Sequence, residues 1–454
     1  MATIIAIDTP ALGDRSYLAQ DGQVALVVDP QRDIDRVTAM AREAGVRIAH
    51  VFETHIHNDY VTGGLALAQA TGAAYHVNAA DRVAFDRSPI RDGDVVEVSP
   101  TMRVRAIATP GHTYTHLCYA VHSDGLPVAV FTGGSLLFGT TGRPDLLGDD
   151  HTDALVHRQY ASVHRLADEL PAHVEVLPTH GFGSFCSSGS TGGQGPSTIG
   201  QERRANPVLT QGEQQWVAET LAGLDVYPAY YAHMAPANAA GPLAPDLRQP
   251  QAADKTVLAA RIAAGEWVVD LRSRVAFAAG HARGTLNFGL DGDFATYIGW
   301  LIPWGAPLTL LGESPQQVAE AQRELVRIGI DRLAGAATGT PRDWTDAALG
   351  RLPRARFADL AQVRHHRQVV VLDVRRAFEF AKEHIEGAVN VPIHELFGRL
   401  QEVPPGPVWV HCETGYRAAI AASALAPRDG EVVLVDDDFE RCADAGLPVV
   451  PAST

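Results

Sequence analysis

Apolar positions along the first half of the chain fall into short runs, each ending abruptly in small, polar or histidine residues. Gln23–Asp29, Arg47–Glu53, Met102–Ala108, Val128–Phe131 and Val174–Leu177 are the clearest. Runs of this length bounded by turn formers predict β-strands, with helical stretches between them. Residues 1–230 therefore read as a mixed α/β domain. From Ala232 to Asp254 large apolar residues thin out among alanine and proline, so 231–254 is expected to be a linker.

Beyond residue 254 the pattern repeats. Val269-Asp270-Leu271-Arg272 matches Leu372-Asp373-Val374-Arg375, and His281-Ala282-Arg283-Gly284-Thr285-Leu286-Asn287 matches His384-Ile385-Glu386-Gly387-Ala388-Val389-Asn390, at a constant offset of 103. That period is too long for a solenoid unit and predicts a duplicated domain, one copy at 255–345 and one at 356–454. Each copy alternates strand-like and helical runs, which predicts a small parallel sheet. A last strand aligns at an offset of 100, placing Gly312 opposite Cys412 and Gln317 opposite Arg417.

At 454 residues the chain can hold roughly three domains of about 150 residues, each with its own core. Lys+Arg 37 against Asp+Glu 53 gives a net charge of −16, which argues against nucleic acid and anionic membranes. No apolar stretch approaches the roughly 18 residues of a membrane span, and the N-terminus lacks a basic leader. Cys118, Cys186, Cys412 and Cys442 are too few and too scattered for a disulfide framework. Free thiols and a cytoplasmic location are expected.

Val408–His411 predicts a strand running into Cys412-Glu413-Thr414-Gly415-Tyr416-Arg417 and then an alanine-rich helix. Such a loop turns backbone N–H groups inward and adds the positive end of the helix dipole, so a thiolate at Cys412 is stabilised. Arg417 supplies a permanent cation. A cysteine phosphatase needs five residues between Cys and Arg to wrap a phosphate; here there are four, a cradle for a single sulfur. The Cys-x-x-Gly-x-Arg loop, with Asp373-Val374-Arg375 and His384–Pro392, resembles the rhodanese family. The resemblance implies a transferable persulfide on Cys412. The first copy, with Gly312 and Gln317 instead, is expected to be inactive.

Histidines gather after the strands of the first domain: His55-Ile56-His57-Asn58-Asp59, then Pro110-Gly111-His112, Phe131-Thr132-Gly133-Gly134 and Pro178-Thr179-His180. Imidazoles at neighbouring strand ends can converge on one ion, and four such ends point to a metal site at one rim of a sandwich. These motifs, with Gly142–Leu146 and Glu202–Pro207, resemble the glyoxalase II and persulfide dioxygenase branch of the metallo-β-lactamase superfamily. The fold expected is an αββα metallo-β-lactamase sandwich followed by two small α/β parallel-sheet rhodanese-like domains. The resemblance implies one Fe²⁺ at His55 and His112. Gly134 stands where that family carries its aspartate ligand, and Tyr60 stands where dinuclear members carry a histidine.

The expected ligand set is His55, His57 and His112, with Asp59 or Asp145 as outside candidates and Zn²⁺ as the alternative metal. Restoring aspartate at 134 is expected to raise iron retention if the family backbone geometry persists. Cys186, in the glycine/serine-rich stretch Gly181–Gly200, reads either as part of a flexible insertion or as a second sulfur-carrying cysteine at the metal. The activity implied is oxidation of a low-molecular-weight persulfide at the metal, coupled to sulfur transfer through Cys412. Small sulfur compounds (persulfide, thiosulfate or sulfite) are the expected partners, in a homo-oligomer. A zinc thioester hydrolase fused to a sulfurtransferase, or a metal-poor scaffold domain beside an active rhodanese, remain the alternatives.

Overall fold

The computed structural model describes residues 2–189, 195–428 and 430–451, in two compact units. The first comprises Met1–Asp246 with Leu325–Gly329, and the second Leu247–Glu324 with Ile330–Thr454. Of the expected insertion Gly181–Gly200, residues 190–194 lie outside the described residues.

In the first unit two six-stranded sheets stack. One runs Thr3–Thr9, Asp14–Asp21, Val24–Val28, Arg47–Phe52, Ala74–Asn78, Ser88–Ile90; the other runs Ser197–Thr198, Glu175–Pro178, Leu126–Gly133, Leu117–Ser123, Met102–Ala108, Val95–Glu97. Because successive strand side chains point to opposite faces, each strand feeds two cores. Leu26 and Val28 meet Tyr119, Val121 and Phe131 between the sheets, while Ala25 and Val27 pack outward among Val37, Ala41, Leu67 and Ala68. On the far side Cys118 and Ala120 meet Val156, Val163 and Leu166 of the helix Asp149–Glu169, together with Trp216 and Val217. Helix, sheet, sheet, helix is the layering the sequence predicts.

The expected linker is not extended chain throughout. Tyr231–Ala240 is a helix whose Tyr231, Met234 and Asn238, spaced along one face, are buried. Asn238 donates to the carbonyls of His57 and Tyr60 at 2.9 and 2.8 Å and accepts from the Thr62 N–H at 2.9 Å. A polar side chain satisfying three loop backbone groups holds this helix on the domain where alanine-rich composition gave no sign of it.

In the second unit the repeat is visible as two parallel sheets of matching order. Leu286–Asn287, Trp267–Asp270, Leu308–Gly312 and Gly335–Thr338 form one; Val389–Asn390, Val370–Asp373, Val408–His411 and Val432–Val435 form the other, extended by Arg354–Ala355. The shared motifs are staples. Arg272 clamps Asp270 and Arg375 clamps Asp373 through paired hydrogen bonds, all four side chains being buried. Asn287 and Asn390 each donate to the two backbone carbonyls of their own Asp–x–Arg turn. His281 and His384 each bond a carbonyl four residues back while stacking on Phe277 and Phe380, with ring centroids 3.9 Å apart in both cases.

Candidate metal centre and cysteine loop

Three strands of the first unit deliver four histidines to one rim. Arg47–Phe52 leads to His55 and His57, Met102–Ala108 to His112, and Glu175–Pro178 to His180, all of them buried. One nitrogen each of His55, His112 and His180 lies within 4.8 Å of the others, and the Nε2 atoms of His55 and His180 are 3.5 Å apart. Nitrogens about 2.1 Å from a tetrahedral ion sit roughly 3.4 Å from one another, so the spacing suits one ion.

The far side of each ring fixes its tautomer. Nδ1 of His112 faces the Arg143 carbonyl, a pure acceptor, at 2.8 Å, and Nδ1 of His180 lies between the carboxyls of Asp14 at 2.9 Å and Asp59 at 3.1 Å. Nδ1 of His55 meets the Thr54 hydroxyl at 2.8 Å, whose proton is committed to Asp29 at 2.8 Å. All three rings therefore carry hydrogen on Nδ1 and can turn an Nε2 lone pair to the common point, as ligating histidines with ordered partners do. His112 Nε2 and Asp59 Oδ1 are buried without a hydrogen-bond partner. Burial, then the neighbouring imidazoles, keep His55 well below the ordinary histidine range, and burial and His180 push His112 down to about 3. Both are neutral donors. Burial pulls His180 down too, but Asp59 and Asp14 outweigh it and hold the ring high, so without an ion Nε2 keeps a proton, and a bound cation would take that proton's place against the same two carboxylates. This donor set fits a divalent cation.

His57, expected in the set with His55 and His112, is directed elsewhere. Its Nε2 lies 3.2 Å from both Asp29 and Glu53 and 3.0 Å from the Tyr60 hydroxyl. Burial opposes its charge, but Asp29 and Glu53 raise it to about 9. His57 can still share a second grouping with Asp59 and His180. Asp145 is held by Arg143 through two bonds of 2.7 and 2.6 Å, which accounts for its carboxylate. Asp59, the other outside candidate, stands 3.1 Å from His180, beside Asp14 at 2.9 Å.

Gly134 leaves no room for the carboxylate it replaces. A Cβ there would lie 2.2 Å from His112 Cδ2 and 2.7 Å from its Cγ. His116, with Nδ1 against Thr109 and Nε2 accepting the Gly134 N–H at 3.0 Å, fixes that backbone. The expected gain from aspartate at 134 is thereby corrected: the backbone places the new side chain on a ligand ring. Cys186 is buried with its sulfur 3.9 Å from the Tyr231 hydroxyl; burial and then the facing Asp59 and Asp14 push its thiol well up. It thus lies at the wall of the histidine pocket, not in solvent.

Sequence reading singled out His180 without placing it among the ligands, and it missed Asp14 and Asp29. A Thr-His-Gly turn after a strand was the available signal for His180; Asp14 lies 166 residues away in the chain and gave none.

In the second unit Cys412 ends the strand Val408–His411 and is buried, and the Gly415 N–H donates to its sulfur at 3.2 Å. Gly415 has φ +95°, and a Cβ there would come 2.5 Å from Asp436 Oδ1, so the turn requires glycine. Arg417 opens the helix Tyr416–Leu425 beside Cys412 and is itself clamped by Glu379 at 2.6 and 2.7 Å. In the first copy Gln317 fills the corresponding cradle: its amide oxygen accepts the Glu313 N–H at 2.7 Å and its nitrogen donates to the Leu271 carbonyl at 3.2 Å.

Residues 357–445 match the family model of the rhodanese-like domain. The chain is 33% identical over 160 residues to the hydroxyacylglutathione hydrolase of Polaromonas sp. (strain JS666 / ATCC BAA-500), covering 35% of this chain and 57% of that protein. It is 27% identical over 211 residues to the mitochondrial persulfide dioxygenase ETHE1 of Homo sapiens, covering 46% and 74%. The crystal structure of a metallo-β-lactamase from Staphylococcus aureus subsp. aureus COL aligns with a TM-score of 0.67 at 25% identity, over 75% of this chain and 99% of that one. The chain belongs to the metallo-β-lactamase-fold proteins related to glyoxalase II and ETHE1, and carries a C-terminal rhodanese-like domain. That combination is consistent with a persulfide dioxygenase–rhodanese fusion. The chain spans 57% of the length of the first curated relatives it matches.

Proposed function

We propose that the protein oxidises a low-molecular-weight persulfide at one metal ion held by His55, His112 and His180, and moves sulfur through a persulfide on Cys412. The observation that carries this reading is the meeting of three Nε2 atoms, each with Nδ1 already committed, in a chain that also holds a cysteine in a strand-to-helix anion loop. The proposed oxidation balances as RSSH + O₂ + H₂O giving RSH, sulfite and two protons. When bound, the metal supplies positions for a sulfur anion and dioxygen and the charge that favours the thiolate form. The remaining work belongs to the chain. Thr54, Arg143 and Asp14 orient the three imidazoles, and Asp59 offers an acceptor for a proton inside the pocket. Cys186 narrows the wall beside Asp59.

At Cys412 the thiolate attacks the terminal sulfur of a persulfide. The S–S bond of the donor breaks, a new one forms to Sγ, and the thiol leaves with the bonding pair. Sulfite attack on that outer sulfur then releases thiosulfate and restores Cys412. Gly415 N–H and the helix terminus hold the sulfur anion throughout.

Iron is the proposed metal, in the cytoplasm and in a homo-oligomer. The wholly imidazole set favours a second reading, a zinc ion serving thioester hydrolysis, because neutral nitrogen ligands suit zinc well. Metal content of protein prepared anaerobically with iron, together with oxygen uptake on glutathione persulfide, separates them. Zinc in every preparation with no oxygen uptake would reject the dioxygenase.

A further inference from the structure

The Gly415 N–H that holds the Cys412 sulfur has a carboxylate and a cation close behind it. A Cβ on Gly415 would come 2.5 Å from Asp436 Oδ1 and 3.2 Å from Arg274 Nε. Asp436 follows the strand Val432–Val435 of the same copy, whereas Arg274 opens the helix Arg274–Ala279 of the first copy. Its Nε donates to Asp436 at 2.6 Å, one terminal nitrogen points to the Thr414 carbonyl at 3.4 Å, and the other faces Asp291 at 3.5 Å. The Tyr416 hydroxyl donates to the Gly289 carbonyl at 2.9 Å. Through these bonds the first copy grips both residues that flank Gly415.

Other charges reach the same loop. Arg417 is clamped by Glu379, which also takes Arg376 Nε at 3.1 Å. Arg375 is locked on Asp373 and stands 3.6 Å from Glu413 of the loop itself. Burial holds His411 below the ordinary histidine range, so its ring is neutral. From the first copy Asp293 acts on Arg417, and Tyr297 faces Cys412 as a neutral phenol, its hydroxyl raised by burial to about 12. Asp436 is met more loosely from its own copy, since the exposed Arg354 approaches it at 3.4 Å, and its close partner is Arg274.

Asp436 sets a negative charge against the turn that has to hold a sulfur anion, and like charges at short range oppose each other. A guanidinium fork suits the correction, because it meets a carboxylate and a carbonyl together in a fixed plane, which an ammonium does not. The Cys412 sulfur is itself among the groups that act on Arg274. We propose that Arg274, from the copy without a cysteine, is a positioning residue for sulfur transfer at Cys412: it cancels Asp436 behind Gly415 and holds the loop through Thr414. The inference rests on Cys412 as the transfer nucleophile. It adds no bond-making step, and it makes the first copy part of the transferase site.

The test uses the full chain and a readout independent of turnover. Alkylation of Cys412 by neutral iodoacetamide is followed across pH by mass spectrometry of its peptide. Arg274→Ala should raise the pH of half-maximal alkylation by about one unit, the scale of one charge acting at short range, and lower kcat/KM for sulfur transfer at neutral pH by about tenfold. Arg274→Lys keeps the charge without the fork and should recover most of the midpoint but only part of the rate. Adding Asp436→Asn to Arg274→Ala should return the midpoint towards wild type, because the charge that Arg274 cancels is gone. A residue that merely packed the copies together would gain nothing from a second lesion in its partner. An unchanged midpoint in Arg274→Ala, or a raised one that Asp436→Asn leaves in place, overturns the proposal. If Arg274→Ala folds poorly, Asp436→Asn alone decides: its midpoint should fall, and one that stays or rises overturns the proposal. Failure of the underlying reading is distinguishable, since Cys412→Ser retaining transfer would reject the nucleophile and leave the alkylation midpoints standing.

Discussion

The three rings of the metal pocket owe their usefulness to what stands behind them. Thr54, the Arg143 carbonyl and Asp14 each take an Nδ1 hydrogen, leaving the opposite nitrogen for an ion. His180→Ala should therefore lower metal per chain as severely as His55→Ala or His112→Ala, by more than the roughly 10–100-fold lost on removing an orienting partner. His57→Ala should retain more metal than any of these while lowering stability, because Asp29 and Glu53 are left buried without their cation. Elemental analysis and urea midpoints read the two effects separately. Equal metal loss in His57→Ala and His180→Ala would instead favour the His57/Asp59/His180 grouping. Gly134→Asp should reduce metal content, not restore it, since its Cβ would meet the His112 ring.

Turn staples and a buried ion pair govern the sheets of the second unit. Asn390 spans two carbonyls of the Asp373–Arg375 turn, as Asn287 does in the first copy. Asn→Ala at either position should cost about 1–3 kcal/mol, measured by urea unfolding, because it leaves carbonyls unsatisfied. Glu379 joins its helix Ala377–Lys382 to Arg417 of the helix Tyr416–Leu425. Burial alone would raise its carboxyl, but the hydrogen bonds and charge of Arg417 bring it down to about 2, against 4.5 ordinarily. A carboxyl lowered on folding gives stability that is complete above the unfolded value, and that stability is lost as pH falls through the folded one. Wild-type stability should thus decline between about pH 5 and pH 2 by an order of a few kcal/mol, and Glu379→Gln should flatten part of that slope. Urea midpoints across this range decide it; identical slopes in the two proteins would assign the acid sensitivity to other groups.

For the whole molecule, the chain divides into two compact units, and both copies of the repeat lie in the second. The copies share one unit because each covers the other: Ser423 Oγ accepts the Asn287 N–H at 3.0 Å, and Trp267 packs tilted against Phe397 with centroids 5.0 Å apart. A fragment of 255–345 alone should therefore be far less stable than 247–454, with cooperative thermal unfolding seen only in the longer piece. Independent, equally stable folding of the short fragment would show that these contacts are incidental. Cys412→Ser in the full chain should abolish thiosulfate–cyanide sulfur transfer, whereas Cys118→Ser and Cys442→Ser should retain it. Cys118 is buried against Thr109, and Cys442 lies in an apolar cluster.

Several strands of the first unit, the repeated motifs of the second half and the cysteine loop were legible in the sequence because they depend on neighbours. Apolar periodicity, a constant repeat offset and a four-residue spacing from Cys412 to Arg417 are local facts, and local sterics translate them directly into strands, turns and a helix start. His55 and His112 were legible as strand-end histidines for the same reason. Direction and charge state were not. His57 sits two residues from His55, yet Asp29 and Glu53 draw its ring away, and His180 enters from 125 residues beyond His55. A sequence reports which donors exist; which of them share one point depends on how two sheets bring their loops to a common rim. The same holds for Arg417, a cation in the sequence whose charge is balanced by Glu379, and for the first copy, which has no cysteine of its own yet brings Arg274 to the Thr414 carbonyl of the Cys412 loop. Coulombic partners and excluded volume are set by distance in space, and only the tertiary structure fixes that distance.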